Sequence, residues 1–136
     1  MKTRLTLLYI LLGLICIIGV ASAQTTKPGF IQLHLQTDKN VKTTVQCIDD
    51  AITYSDTTDM FTLILHPNKE YILTFTKQGY ITKEVYVSTN NINQYNRYSI
   101  RLQASLDKGE SNITQLYGAL VYDHRADTFV KRKYGN

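Results

Sequence analysis

The run His66-Pro67-Asn68-Lys69-Glu70-Tyr71-Ile72-Leu73-Thr74-Phe75-Thr76-Lys77-Gln78-Gly79-Tyr80 constrains the fold more than any other stretch of the chain. Tyr71, Leu73 and Phe75 alternate with Ile72, Thr74 and Thr76. A period of two places one row on each face of a strand and cannot form a helical stripe. Pro67 fixes φ and Asn68 tolerates unusual backbone angles, so the pair reads as the turn that enters this strand. Gly79 is expected to take the positive φ of the turn that leaves it.

The same grammar recurs on both sides. Ile31, Leu33 and Leu35 alternate with Gln32 and His34, and Asp38-Lys39-Asn40 is a turn before a strand over 41–47. A short piece over 51–54 follows Asp49-Asp50. Phe61, Leu63 and Leu65 line one face of the next strand. Val85 and Val87 point inward on another, with Lys83 and Glu84 near its exposed start. Tyr98, Ile100 and Leu102 form a further inward row. Residues 116–122 and 128–130 flank a hairpin turn at 123–127, and residues 90–94 and 106–115 are polar loops expected to move. Tyrosine, threonine and β-branched residues dominate, which favours sheet. Short strands with turns at this spacing predict one antiparallel β-sandwich of seven or eight strands, with no repeat and no second domain.

Residues 1–23 read as a cleaved signal peptide: Lys2 and Arg4, an apolar run over 5–20, then Ala21-Ser22-Ala23 before Gln24. That run is short against the roughly 20 residues of a membrane span. Cleavage is therefore expected, with no span in the mature chain, residues 24–136. Ile15 stands where lipid attachment at Cys16 would need a small residue. Losing Lys2 and Arg4 leaves a nearly balanced charge, which argues against nucleic acid as a partner. Lys131-Arg132-Lys133 reads as a solvated tail. Cys47 then remains alone, ending the row Val41, Thr43, Val45, so the core must hold without a disulfide.

Catalytic and metal chemistry find little footing. His34, His66 and His124 fall on an outward face, a turn and a hairpin, whereas a metal needs several converging ligands. Asp49, Asp50, Asp56 and Asp59 lack the regular spacing of a calcium loop. No nucleophile elbow, phosphate loop or dinucleotide fingerprint occurs. No cofactor, metal or catalytic residue is assigned. Tyr86, Tyr95 and Tyr117 are candidates for outward faces, where with Asn90, Asn91 and Asn93 they would bind a glycan by stacking and hydrogen bonding. Asn112-Ile113-Thr114 is a sequon, and Asp56-Thr57-Thr58 resembles a short bacterial O-glycosylation motif, so Asn112 and Thr57 are candidate acceptors.

Residues 41–88 resemble secreted transthyretin-like and PEGA-like modules, including carboxypeptidase-regulatory-like domains. The resemblance rests on Asp59-Met60-Phe61, the strand 63–65, Pro67 to Tyr71, the strand 72–76, and Lys77-Gln78-Gly79-Tyr80. Met60 and Asn68 depart from it, standing where such modules often carry glycine. The segments 98–102 and 116–123 with Phe129 are similar to small exported proteins of Bacteroidetes-type bacteria. The resemblance implies a transthyretin-like or immunoglobulin-like sandwich in the cell envelope. The hydrolase known on the transthyretin fold ends Tyr-Arg-Gly-Ser, and Tyr134-Gly135-Asn136 lacks that arginine and serine. The expectation is a non-enzymatic binding or scaffolding module whose partner is an envelope protein or, alternatively, a glycan. Its exposed strand edges are expected near residues 30–35 and Phe129, and its oligomeric state stays open.

Overall fold

The computed structural model describes residues 29–93 and 95–133. The signal peptide, its cleavage site, Cys16 and Tyr134 lie outside them. Nine strands follow one another: β1 (Ile31–Thr37), β2 (Lys42–Cys47), β3 (Thr53–Asp56), β4 (Met60–Leu65), β5 (Glu70–Thr76), β6 (Thr82–Ser88), β7 (Tyr98–Ala104), β8 (Thr114–Asp123) and β9 (Thr128–Lys133). No helix occurs among the described residues, so none is present that is long and apolar enough to cross a membrane.

The strands form two sheets, one of order β4-β1-β7 and one of order β3-β2-β5-β6-β8-β9. Ile31, Leu33, Leu35, Leu65, Ile100 and Leu102 come from the smaller sheet. They share one buried cluster with Val45, Leu73, Phe75, Val85, Val87 and Leu120 of the larger. The two apolar faces thus close on each other in a sandwich-like arrangement, as alternation on every strand requires. Turn chemistry follows the residues: Asn40 (φ 61°), Asn68 (φ 56°) and Gly79 (φ 79°) take the positive φ that Asn and Gly tolerate best.

Three expectations need correction. The sheets are mixed rather than wholly antiparallel, because β1 pairs in parallel with β7, and β6 with β8. Parallel neighbours need a long crossover. Here β7 itself serves as the crossover between β6 and β8, leaving the large sheet, crossing the small one and returning. The strands number nine rather than seven or eight, the four-residue β3 being a paired strand in its own right. Finally, β1 is no edge. It lies between β4 and β7 and pairs with both. Alternation says which face of a strand is buried, and nothing about how many neighbours it has. The true edges are β4 and β7 of the small sheet and β3 and β9 of the large one.

The expected placement of Lys83 is also overturned. Its parity with Val85 and Val87 points it inward, and it is 4% exposed. Its ammonium donates to the Ser105 carbonyl and the Asp107 carboxylate, each at 2.8 Å. It also lies 4.6 Å from the centre of the Tyr117 ring. Residues 105–113 close over it, pinned by Ile81 N–H to Asp107 O, Thr82 N–H to Ile113 O and Leu106 N–H to the Asp38 carboxylate.

Candidate functional site

The two open sides of the sandwich differ in chemistry. On one side β3 and β4 lie at neighbouring edges, one from each sheet, and a hollow of about 150 Å³ opens between them. Ile52, Tyr54, Leu63 and Ile64 line it over a floor that includes Val45 and Tyr71. Ile52 is 65% exposed, Ile64 50% and Tyr54 39%, an unusual concentration of apolar surface at an unpaired edge. The outer row of β4 is exposed because none of the described residues packs on that face of the small sheet.

Carboxylates rim this side. Asp56 accepts from the Tyr54 hydroxyl at 2.6 Å and from the backbone N–H groups of Thr57 and Thr58. Hydrogen bonding from the Thr58 side chain, with those from Tyr54 and the two N–H groups, holds its carboxyl well below the usual carboxylate range, and the Asp56 contact raises Tyr54. Asp50 pairs with Lys69 at 2.9 Å and accepts the Cys47 thiol proton at 3.7 Å. The Lys69 ammonium lowers Asp50 and is raised in return. Cys47 is buried, its sulfur turned to the core side of β2.

On the other side β7 faces β8 and β9. Three adjoining hollows, of about 550, 330 and 150 Å³, share Lys131 in their lining; the first spreads from there over the outer face of the small sheet to His34 of β1 and Met60 of β4, and the other two run along this seam. Arg97 and Arg101 line it from β7 and the segment before it, Gln36 and Gln103 add amides, and Tyr117 stands at one end. Among the described residues the ion pairs are Lys69–Asp50 and Lys83–Asp107, so Arg97, Arg101 and Lys131 have no acidic partner. Arg97 lies over the Phe30 ring at 5.0 Å.

The six residues expected to form a glycan platform are not gathered in one place. Tyr86 is half-buried on the outer face of the large sheet, in register with Ile72 and Ala119. Tyr117 is the extra residue of a bulge, because Glu84 pairs with Leu116 while Val85 pairs with Gly118. The bulge turns its ring to the core-side seam, against Lys83. Tyr95 is 58% exposed in the loop after β6. The asparagines of that loop hold backbone and neighbours. Asn90 donates to Glu70 at 3.0 Å, Asn91 (φ 61°) donates its N–H to Asn68, and Asn93 accepts from the N–H of Tyr95. Thr57 is exposed in the segment after β3, and Asn112 is exposed in a turn.

His34 bonds Thr62 at 2.8 Å, while His124 packs on Tyr122 with ring centres 5.0 Å apart. Among the described residues no group of three or more His, Cys, Asp or Glu is arranged to hold a metal. Sequence reasoning missed both the β3–β4 hollow and the basic seam, since each joins strands distant in the chain. Only the basic run 131–133 was a visible signal, and it read as a tail.

Comparison with protein-family models, with curated proteins and with solved structures finds no match to this chain.

Proposed function

We propose that the protein is an exported, non-enzymatic binding and scaffolding module of the bacterial cell envelope, built on a transthyretin-like sandwich. It would act in the periplasm, at the outer membrane or outside the cell. The leader-like residues 1–23 and the turn-and-strand run 59–80 support export and kinship. The observation that carries the binding role is the exposed apolar edge formed by Ile52, Tyr54 and Ile64 beside the unpaired backbone of β4.

The occupant this edge fits is an extended segment of a partner protein that adds a strand to β4. One row of its side chains would cover the hollow between β4 and β3, against Ile52, Tyr54 and Leu63. The other would lie beside Ile64. Asp49, Asp56 and Asp59, which have no ion-pair partner among the described residues, favour a segment flanked by lysine or arginine, Asp50 being held by Lys69.

Ile64→Lys tests this. The side chain is half-exposed, so melting should be unchanged within a few degrees, while the partner recovered with the tagged protein is lost. Retention of that partner by the variant would refute strand addition at β4.

A further inference from the structure

The seam between β7 and β9 carries a second surface of opposite character. β9 is an edge strand, and its register with β8 places Lys131 opposite Leu120 and Lys133 opposite Gly118. Both lysines therefore sit on the core-facing side of the sheet, yet both are exposed, because the smaller sheet stops at β7 and leaves the seam open. Cations at such positions discourage unwanted strand pairing. That protective role accounts for β9 alone. It does not account for Arg97 and Arg101, contributed by the opposite sheet and its entry segment and lining the same hollows as Lys131.

We infer that this seam is a binding site for an acidic polysaccharide, one bearing carboxylate or sulfate groups. No Asp or Glu lines any of the three hollows. Arg97, Arg101 and Lys131 have no ion-pair partner among the described residues, so their charge is available to a ligand. The site is elongated. Five of the six residues of β9, all but Val130, border it, and the strand extends over about 20 Å, the shape of a linear polymer rather than of a single small anion. Gln36 and Gln103 offer both donors and acceptors for ring hydroxyls. Tyr117, 45% exposed at one end, offers an aromatic edge beside the buried Lys83 ammonium. A nucleic acid would call for a denser run of cations and a series of stacking rings, and the seam has a single exposed tyrosine. The largest hollow reaches Met60 of β4 across the outer face of the small sheet, but the site shares no lining residue with the β3–β4 hollow and does not depend on the docking proposed there.

Affinity electrophoresis of the purified full chain separates the outcomes. Gels would contain polygalacturonate, dextran sulfate, neutral dextran or oligothymidylate. Retardation is expected with one or both acidic polysaccharides at about 50 mM salt and is lost as screening increases. The stronger of the two identifies the preferred charged group. Arg101→Gln with Lys131→Gln should weaken retention about tenfold, the combined effect of two exposed charge contacts. Ile64→Lys, at a residue that lines none of the three hollows, should leave it unchanged. All these side chains are exposed, so folding, checked by melting, should be preserved. Equal retardation by neutral dextran, stronger retardation by oligothymidylate, or an unaltered Arg101→Gln/Lys131→Gln double variant would each overturn the assignment.

Discussion

Thr43 is fully buried on β2, and its hydroxyl is the buried side-chain polar atom that lacks a hydrogen-bond partner among the described residues. Burying a hydroxyl without a partner costs about 1–3 kcal/mol, and valine has nearly the same shape. Thr43→Val is therefore expected to raise stability by about 1 kcal/mol in urea denaturation. Thr89, equally buried, is its counterpart. Its hydroxyl accepts from Lys69 N–H at 2.9 Å and donates to the His66 carbonyl at 2.7 Å, fastening the Pro67-Asn68 turn to the end of β6. Asp127 makes a third polar arrangement, accepting from the hydroxyls of Tyr98 and Tyr122. These bonds lower Asp127 and raise Tyr122. Folding thus favours a charged Asp127 and a protonated Tyr122. The contribution of the pair is complete between the ordinary aspartate and tyrosine values. It fades as pH falls through the lowered Asp127 value, and again as pH rises from about 10, where the unfolded tyrosine ionises, through the raised Tyr122 value. In an ultraviolet titration, Asp127→Asn should let one tyrosine ionise at lower pH. An identical curve would show that the contact does not control Tyr122.

At the scale of elements, what was legible in the sequence was whatever depends on a residue's neighbours in the chain. The inward rows of β1, β2, β5 and β7, the turns at Asn40, Asn68 and Gly79, and the hairpin after Asp123 all follow from alternation and turn chemistry. What was hidden depends on pairing across the chain: the parallel β1–β7 and β6–β8 ladders, the central place of β1, and the inward Lys83. A lysine beside a glutamate reads as a strand's exposed start, and only the loop 105–113 folding over β6 reverses that. Most of the polar stretch 106–115 belongs to this loop, which is tied to β6 and its entry by backbone bonds and by Lys83. Lys83→Met should fill the same space at little net cost. Asp107→Ala, which leaves the ammonium buried with less compensation, should be the more destabilising of the two in chemical denaturation. The exposure of Asp107 keeps the difference to about 1 kcal/mol. Gly118 has a separate role, because a Cβ there would lie 2.8 Å from the Arg132 carbonyl oxygen of β9. Gly118→Ala should part β8 from β9 at the bulge and cost about 1–3 kcal/mol, loosening the strand that borders the basic seam.

At the largest scale, the described residues form a two-sided object. A six-stranded sheet is capped by a three-stranded one, and the difference in width leaves both flanks of the sandwich open. One flank is apolar with an acidic rim, and the other is basic. The core between them consists of aliphatic and aromatic side chains and one free cysteine. The candidate tyrosine platform was not legible as a site, because Tyr86 and Tyr117 occupy opposite faces of one sheet once the β8 bulge is in place. Residues 52, 54 and 64 meet only because β3 and β4 end their sheets side by side.

A photoreactive residue placed at position 64, compared with one at position 74 on the outer face of the large sheet, tests the binding role most directly. In the native host, position 64 should crosslink to one partner through an extended apolar stretch flanked by lysine or arginine, and position 74 should not. Equal crosslinking at both positions, or none at position 64, would contradict docking at the β4 edge.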